Sequence, residues 1–129
     1  MKQFDKMSSA KLDTCHPDLQ KLFKVVLQGF DCRIIEGHRN EADQNKAFAA
    51  GKSKLKWPNG EHNSIPSRAV DVTPSPIDWN DTARFYYFAG YVKAIAENLS
   101  LSIRWGGDWN GNTQVKDENF KDLVHFELR

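Results

Sequence analysis

Little in this chain speaks for a disulfide scaffold, a membrane protein or a nucleic-acid binder. Its 129 residues hold two cysteines, Cys15 and Cys32, with no Cys-x-x-Cys motif. They read as two small core hydrophobes in a reducing compartment, and whether they pair stays open. A metal role for Cys15, His16 and Cys32 has no support in any zinc-ligand spacing. No apolar run approaches the length of a membrane span, and Met1 to Ala10 holds no apolar signal-peptide core. The expectation is a protein made in the cytoplasm without membrane insertion. Charge of one sign is missing too: 18 Lys and Arg face 17 Asp and Glu, a formal net charge of +1. Without a basic face to displace counterions, nucleic acid is not an expected partner. Gly106-Gly107 lacks the glycine and lysine that complete a phosphate loop. Ser64 and Ser67 sit in no nucleophile-elbow pattern.

What is present is ordinary in bulk: 40% hydrophobic and 27% charged residues, as in soluble globular proteins. The length suits one domain with a real core, and residues 1–129 show no repeat, linker or second domain. After a polar arm with a short structured piece (Met1 to Asp13), Asp13 or Thr14 is placed to cap a helix beginning near Pro17. Leu19, Leu22, Phe23, Val26 and Leu27 give that helix an apolar stripe, and Gly29 closes it. Cys32 to Glu36 reads as a short strand. Asn40 caps a second helix, with Asp43 in its first turn and with Ala42, Phe48 and Ala49; Gly51 ends it. Residues 51–67 form a long loop, unusual without a function. Its Lys52, Lys54 and Lys56 read either as a solvated flank or as charges that draw an anionic substrate.

Arg68 to Thr73 reads as a strand with Val70 and Val72 on one face and Asp71 on the other. A carboxylate between two inward valines needs a partner charge, which a metal supplies. Asn80 or Asp81 caps the main core helix, running to about Asn98 through Phe85, Phe88, Ala89, Val92, Ile95 and Ala96, then Leu99. Tyr86, Tyr87 and Tyr91 are expected to widen its apolar side. Ser102 to Trp105 is a further strand, residues 106–112 are an irregular Gly/Asn-rich loop, and Asp122 to Arg129 is a terminal strand. On it His125 and Glu127 share one face, with Phe126 and Leu128 on the other.

The residues that carry chemistry are then His62, Asp71, Asp122, His125 and Arg39. Two histidines and a carboxylate make a zinc set with a fourth position left for water. Asp122 is placed to move a proton and Arg39 to face a developing oxyanion. The plainer alternatives are a strand histidine near a chain end and a surface arginine after a glycine. Spacing alone does not separate them.

Four motifs in order change the balance: Glu36-Gly37-His38-Arg39; His62-Asn63-x-x-Pro66-Ser67-Arg68-Ala69-Val70-Asp71-Val72-x-Pro74; Trp105-Gly106-Gly107-Asp108-Trp109; and Asp122-Leu123-x-His125-Phe126-Glu127-Leu128. From about Leu12 to Leu128 the chain resembles the zinc-dependent D-alanyl-D-alanine carboxypeptidase and L-alanyl-D-glutamate endopeptidase family. It is most similar to that family's compact phage endolysins. The resemblance implies an α+β domain of the hedgehog and D,D-peptidase kind. In it about three helices pack on an antiparallel sheet that carries the zinc site. It implies His62, Asp71 and His125 as Zn2+ ligands, Asp122 as acid/base and Arg39 as transition-state stabiliser. Ser64, Arg68 and Trp109 are candidate substrate contacts, with Trp57 and Trp105 as further aromatics that either wall the cleft or join the core. Glu127 either orients a ligand or makes a surface salt bridge.

The implied partner is the peptidoglycan stem peptide, met by a monomer with no separate cell-wall-binding module. Access to the wall would follow release through a separate, holin-dependent membrane lesion. Two features depart from the family pattern. The spacing from His62 to Asp71 is nine residues, longer than in many members, and Gly60 stands where many carry serine. The implied reaction is hydrolysis at L-alanyl-D-glutamate by metal-activated water. The rivals are D-alanyl-D-alanine carboxypeptidase activity and a non-catalytic wall- or partner-binding module.

Overall fold

A computed structural model describes residues 1–129. The chain begins with helix α1 (Lys6–Leu12) and helix α2 (Pro17–Gly29), then strand β1 (Cys32–Glu36) and helix α3 (Glu41–Ala49). A 3-10 turn (Glu61–Asn63) precedes strand β2 (Ala69–Pro74), helix α4 (Thr82–Asn98), strand β3 (Ile103–Gly106) and strand β4 (Asp122–Leu128). The four strands form one antiparallel sheet in the order β1-β2-β4-β3. The fold class is therefore α+β, with helices packed on an open antiparallel sheet.

The three helices anticipated from periodicity are present, and α1 precedes them. Asp5 makes α1 possible: its side chain accepts the Ser8 amide at 2.7 Å, removing one of the unpaired donors that end a helix. Helix α2 is capped by His16 rather than by Asp13 or Thr14. The His16 Nδ1 accepts from the Asp18 amide at 3.0 Å, while Thr14 Oγ1 is turned back to the Lys11 carbonyl at 2.6 Å. Asn40 and Asp81 cap α3 and α4 as their positions in the sequence imply.

Sheet alternation sorts the residues into two layers. On the helix side lie Ile34, Val70, Val72, Ile103, Trp105, Phe126 and Leu128, packed against Leu19, Leu22, Phe23, Val26, Phe88 and Val92. Phe126 is fully buried, with its ring 5.4 Å from Phe23 and 6.1 Å from Phe88. Burying such a side chain contributes about 1.5–3 kcal/mol. Tyr87 does not join the core: it is 74% exposed and meets only the edge of the cluster through Phe30, 5.6 Å away. Trp105 is core, its indole nitrogen donating to the Leu123 carbonyl at 2.9 Å. The other face of β2 and β4 carries Asp71, His125 and Glu127, all buried polar residues. Both cysteines are buried and free.

Candidate metal centre

Strand register brings two of the chemical residues together. Asp71 of β2 lies directly opposite His125 of β4, where cross-strand side chains on one face touch. The His125 Nδ1 is 3.4 Å from Asp71 Oδ1. His62 arrives from the 3-10 turn, its Nε2 3.1 Å from the same Asp71 oxygen. That turn is held by backbone and side chain together. The Arg39 amide donates to the His62 carbonyl at 2.8 Å, and Asn63 Nδ2 donates to the Arg39 carbonyl at 3.1 Å.

The outer nitrogens of the two rings are also engaged. His62 Nδ1 pairs with the Gly37 carbonyl at 2.7 Å, and a carbonyl accepts only from a protonated nitrogen. Nε2 is then the nitrogen turned toward Asp71. His125 Nε2 pairs with Glu127 Oε1 at 2.8 Å, leaving Nδ1 toward Asp71. Arg104, opposite Glu127 in the β3–β4 register, closes on the other carboxylate oxygen at 2.8 Å and 3.2 Å. Backbone carbonyl and carboxylate partners of this kind fix the tautomer of metal-binding histidines.

Two imidazole nitrogens and one carboxylate oxygen lie within 4.8 Å of one another, all from buried residues. This donor set fits Zn2+ bound through three protein ligands with a fourth position open. Burial by itself would raise the Asp71 carboxyl. The charges of His62 and His125 and their hydrogen bonds outweigh it and hold Asp71 well below the usual carboxylate range. Burial would likewise discharge His125, but hydrogen bonds to Asp71 and Glu127, and the charges of Asp71 and Asp122, push it up to about 9.

Asp122 opens β4 opposite Gly106 and is half-buried. Its carboxyl is pushed up to about 6 by burial and by the Asp71 charge, against the pull of His125, His62 and Arg39. Arg39 is held on both arms, Nη2 by Glu36 at 2.8 Å and Nη1 by Gln44 at 3.0 Å. The same Nη2 stands 3.7 Å from Asp71 Oδ2. A cleft of about 460 Å³ opens beside these groups. His62, His125, Arg39, Arg104, Trp109 and Phe120 are among its lining residues, whereas Asp71 and Asp122 are not. Trp109 stands against the metal site, its ring 5.2 Å from His125.

Ser64 and Arg68 lie outside the cleft lining. The Ser64 hydroxyl donates to the Pro66 carbonyl at 2.9 Å, and Arg68 pairs with Glu61 at 3.7 Å. Sequence reasoning passed over Gln44 and Arg104. A polar residue on the inward side of α3 was the available sign of Gln44. For Arg104 it was the alternation of Ile103, Arg104 and Trp105, which turns an arginine away from the core.

A family model described as phage L-alanyl-D-glutamate peptidase matches residues 1–129. The chain belongs to that family. It is 32% identical over 121 residues to the L-alanyl-D-glutamate peptidase of Escherichia phage T5, an alignment covering 90% of this chain and 88% of the relative. Its fold is similar to the crystal structure of the Serratia marcescens L-Ala D-Glu endopeptidase ChiX. That match has a TM-score of 0.77 and 27% identity, over 98% of this chain and 89% of the other. Members of such a family need a hydrolytic centre, and the His62–Asp71–His125 trio is a buried zinc-binding group of that kind.

Proposed function

We propose that this chain is a zinc-dependent peptidoglycan hydrolase that cleaves the L-alanyl-D-glutamate bond of the stem peptide. The observation that carries this reading is the buried His62–Asp71–His125 trio, whose two histidines line the cleft. The named activity of the family and its relatives supports the choice of bond. Zinc held by these three side chains supplies Lewis acidity, which polarises a carbonyl and lowers the pKa of water to about 7.

The protein groups divide the remaining work. Asp122 takes the proton of the attacking water and returns it to the departing amine. A carboxyl raised toward neutrality is suited to both halves of that exchange. Arg39 presents a fixed positive charge to the oxyanion that forms at the scissile carbonyl. Because both its arms are already bonded, little reorganisation accompanies the charge development. Glu127 keeps the Nε2 proton of His125 and so presents Nδ1 to the metal. Trp109 walls the cleft beside His125 and gives the peptide an apolar surface to lie on.

Digestion of purified cell wall tests the reading. New free amino groups on D-glutamate are the expected product. Release of D-alanine alone would move the protein to the carboxypeptidase reaction, and absence of any product would leave a binding module.

A further inference from the structure

Gln44 is 0% exposed, and a buried primary amide must find its hydrogen bonds inside the protein. It finds four. Oε1 accepts from Arg39 Nη1 at 3.0 Å and from Asn63 Nδ2 at 3.1 Å. Nε2 donates to Ser53 Oγ at 3.0 Å and to the Leu55 carbonyl at 2.5 Å. The orientation of the amide is decided by its neighbours, since a guanidinium only donates and a carbonyl only accepts. No slack surrounds it: a Cβ placed on Gly60 would stand 3.0 Å from Oε1 and 3.1 Å from Cδ.

One side chain thus joins three separate pieces of the cleft: Arg39, the segment at Ser53–Leu55, and the turn that carries His62. Glu36 holds the other arm of Arg39, so Gln44 and Glu36 together leave the guanidinium one direction to face. We propose that Gln44 is a positioning residue for the reaction, setting the aim of Arg39 toward the metal centre. Its second amide arm pins Ser53 and Leu55, which line the same cleft. The inference rests on the oxyanion role given to Arg39 above.

A double-mutant cycle with Arg39→Ala and Gln44→Met separates the two ideas. Gln44→Met removes all four hydrogen bonds at similar volume. The expected loss is roughly 10–100-fold in kcat, the scale of a misplaced catalytic group. Zinc affinity, measured by chelator competition, stays within about twofold of wild type, because Gln44 bonds none of the three ligand side chains and His62 keeps its own bonds to the Gly37 carbonyl and the Arg39 amide. In the double variant kcat falls no further than in Arg39→Ala. If Gln44→Met does not fold, Gln44→Asn keeps the amide but withdraws it from Arg39, and enters the same cycle. Additive losses would mark Gln44 as merely structural and overturn the proposal, as would wild-type kcat in the Gln44 variant or a loss of zinc affinity in it. Wild-type kcat in Arg39→Ala would instead overturn the role of Arg39, and the positioning inference with it.

Discussion

Asp122 and Glu127 are carboxylates on one strand whose surroundings drive them apart. Burial and the Asp71 charge raise Asp122 to about 6. Burial acts the same way on Glu127, but the His125 hydrogen bond and charge, with Arg104 behind, lower it below its ordinary value. Such divergence assigns separate tasks: the raised group moves protons and the lowered one stays an anion that orients an imidazole. Asp122 must be ionised to accept a proton, so kcat/KM should fall tenfold per pH unit below its pKa. Bound zinc, a cation, favours the carboxylate, which places this acid limb at or below pH 6. In Asp122→Asn the limb should vanish and kcat should fall roughly 10²–10⁴-fold, with zinc retained. A full-rate variant with the same limb would hand the task to another group. At this scale the sequence was readable where chemistry conflicts with position, as for Asp71 between two valines. It was silent on Gln44, whose importance lies in partners at Arg39, Ser53, Leu55 and Asn63 that no local pattern connects.

Strands β2 and β4 each perform two jobs because side chains alternate across a sheet. Their apolar faces complete the core while Asp71, His125 and Glu127 face the other way. That alternation was visible in the sequence, and so were the boundaries of α2, β1 and α4 to within a residue or two. Register was not visible. That Asp71 meets His125, and Arg104 meets Glu127, depends on how far one strand slides along another. A bulge between Trp105 and Gly106 sets Gly106 opposite Asp122. A Cβ at Gly106 would lie 2.2 Å from the Asp122 carbonyl oxygen and 3.0 Å from its Cβ. Gly106→Ala must therefore shift the start of β4. The expected result is a stability loss of about 1–3 kcal/mol, the range for overpacking. A fall in kcat with normal zinc content should accompany it. Unchanged thermal unfolding and turnover would show that the strand end yields without displacing Asp122.

For the molecule as a whole, the metal-free centre is a cluster of opposite charges in the interior. With His125 raised to about 9, its imidazole carries a proton at neutral pH that zinc must displace, since only the neutral ring coordinates. Zinc affinity should therefore rise with pH up to about pH 9, with proton release on binding. Calorimetry in buffers of different ionisation enthalpy measures both. Affinity independent of pH across that range would mean that His125 is already neutral. Glu127→Gln should weaken zinc binding roughly 10–100-fold, the usual effect of losing a partner behind a ligand histidine. Removing zinc should lower the unfolding temperature, because the three ligands, far apart in sequence, converge only in the folded chain. The α+β class and the ligand set were within reach of the sequence because the four motifs keep their order along the chain. The loops that form the cleft walls were not, because Ser53, Lys54 and Phe120 acquire their places only through side-chain contacts such as Lys54 over the Phe120 ring, 5.1 Å from its centroid.

The contact between Trp109 and His125 has an optical consequence. Among the chain's four tryptophans, Trp109 is the one whose ring stands against a ligand histidine. It also has the Arg104 guanidinium 5.6 Å from its ring. A protonated imidazole quenches a neighbouring indole, and replacing that proton with a metal ion changes the field the indole feels. The emission of Trp109 therefore follows the state of His125, and loading of the centre can be followed as a change in intrinsic fluorescence, with no label attached.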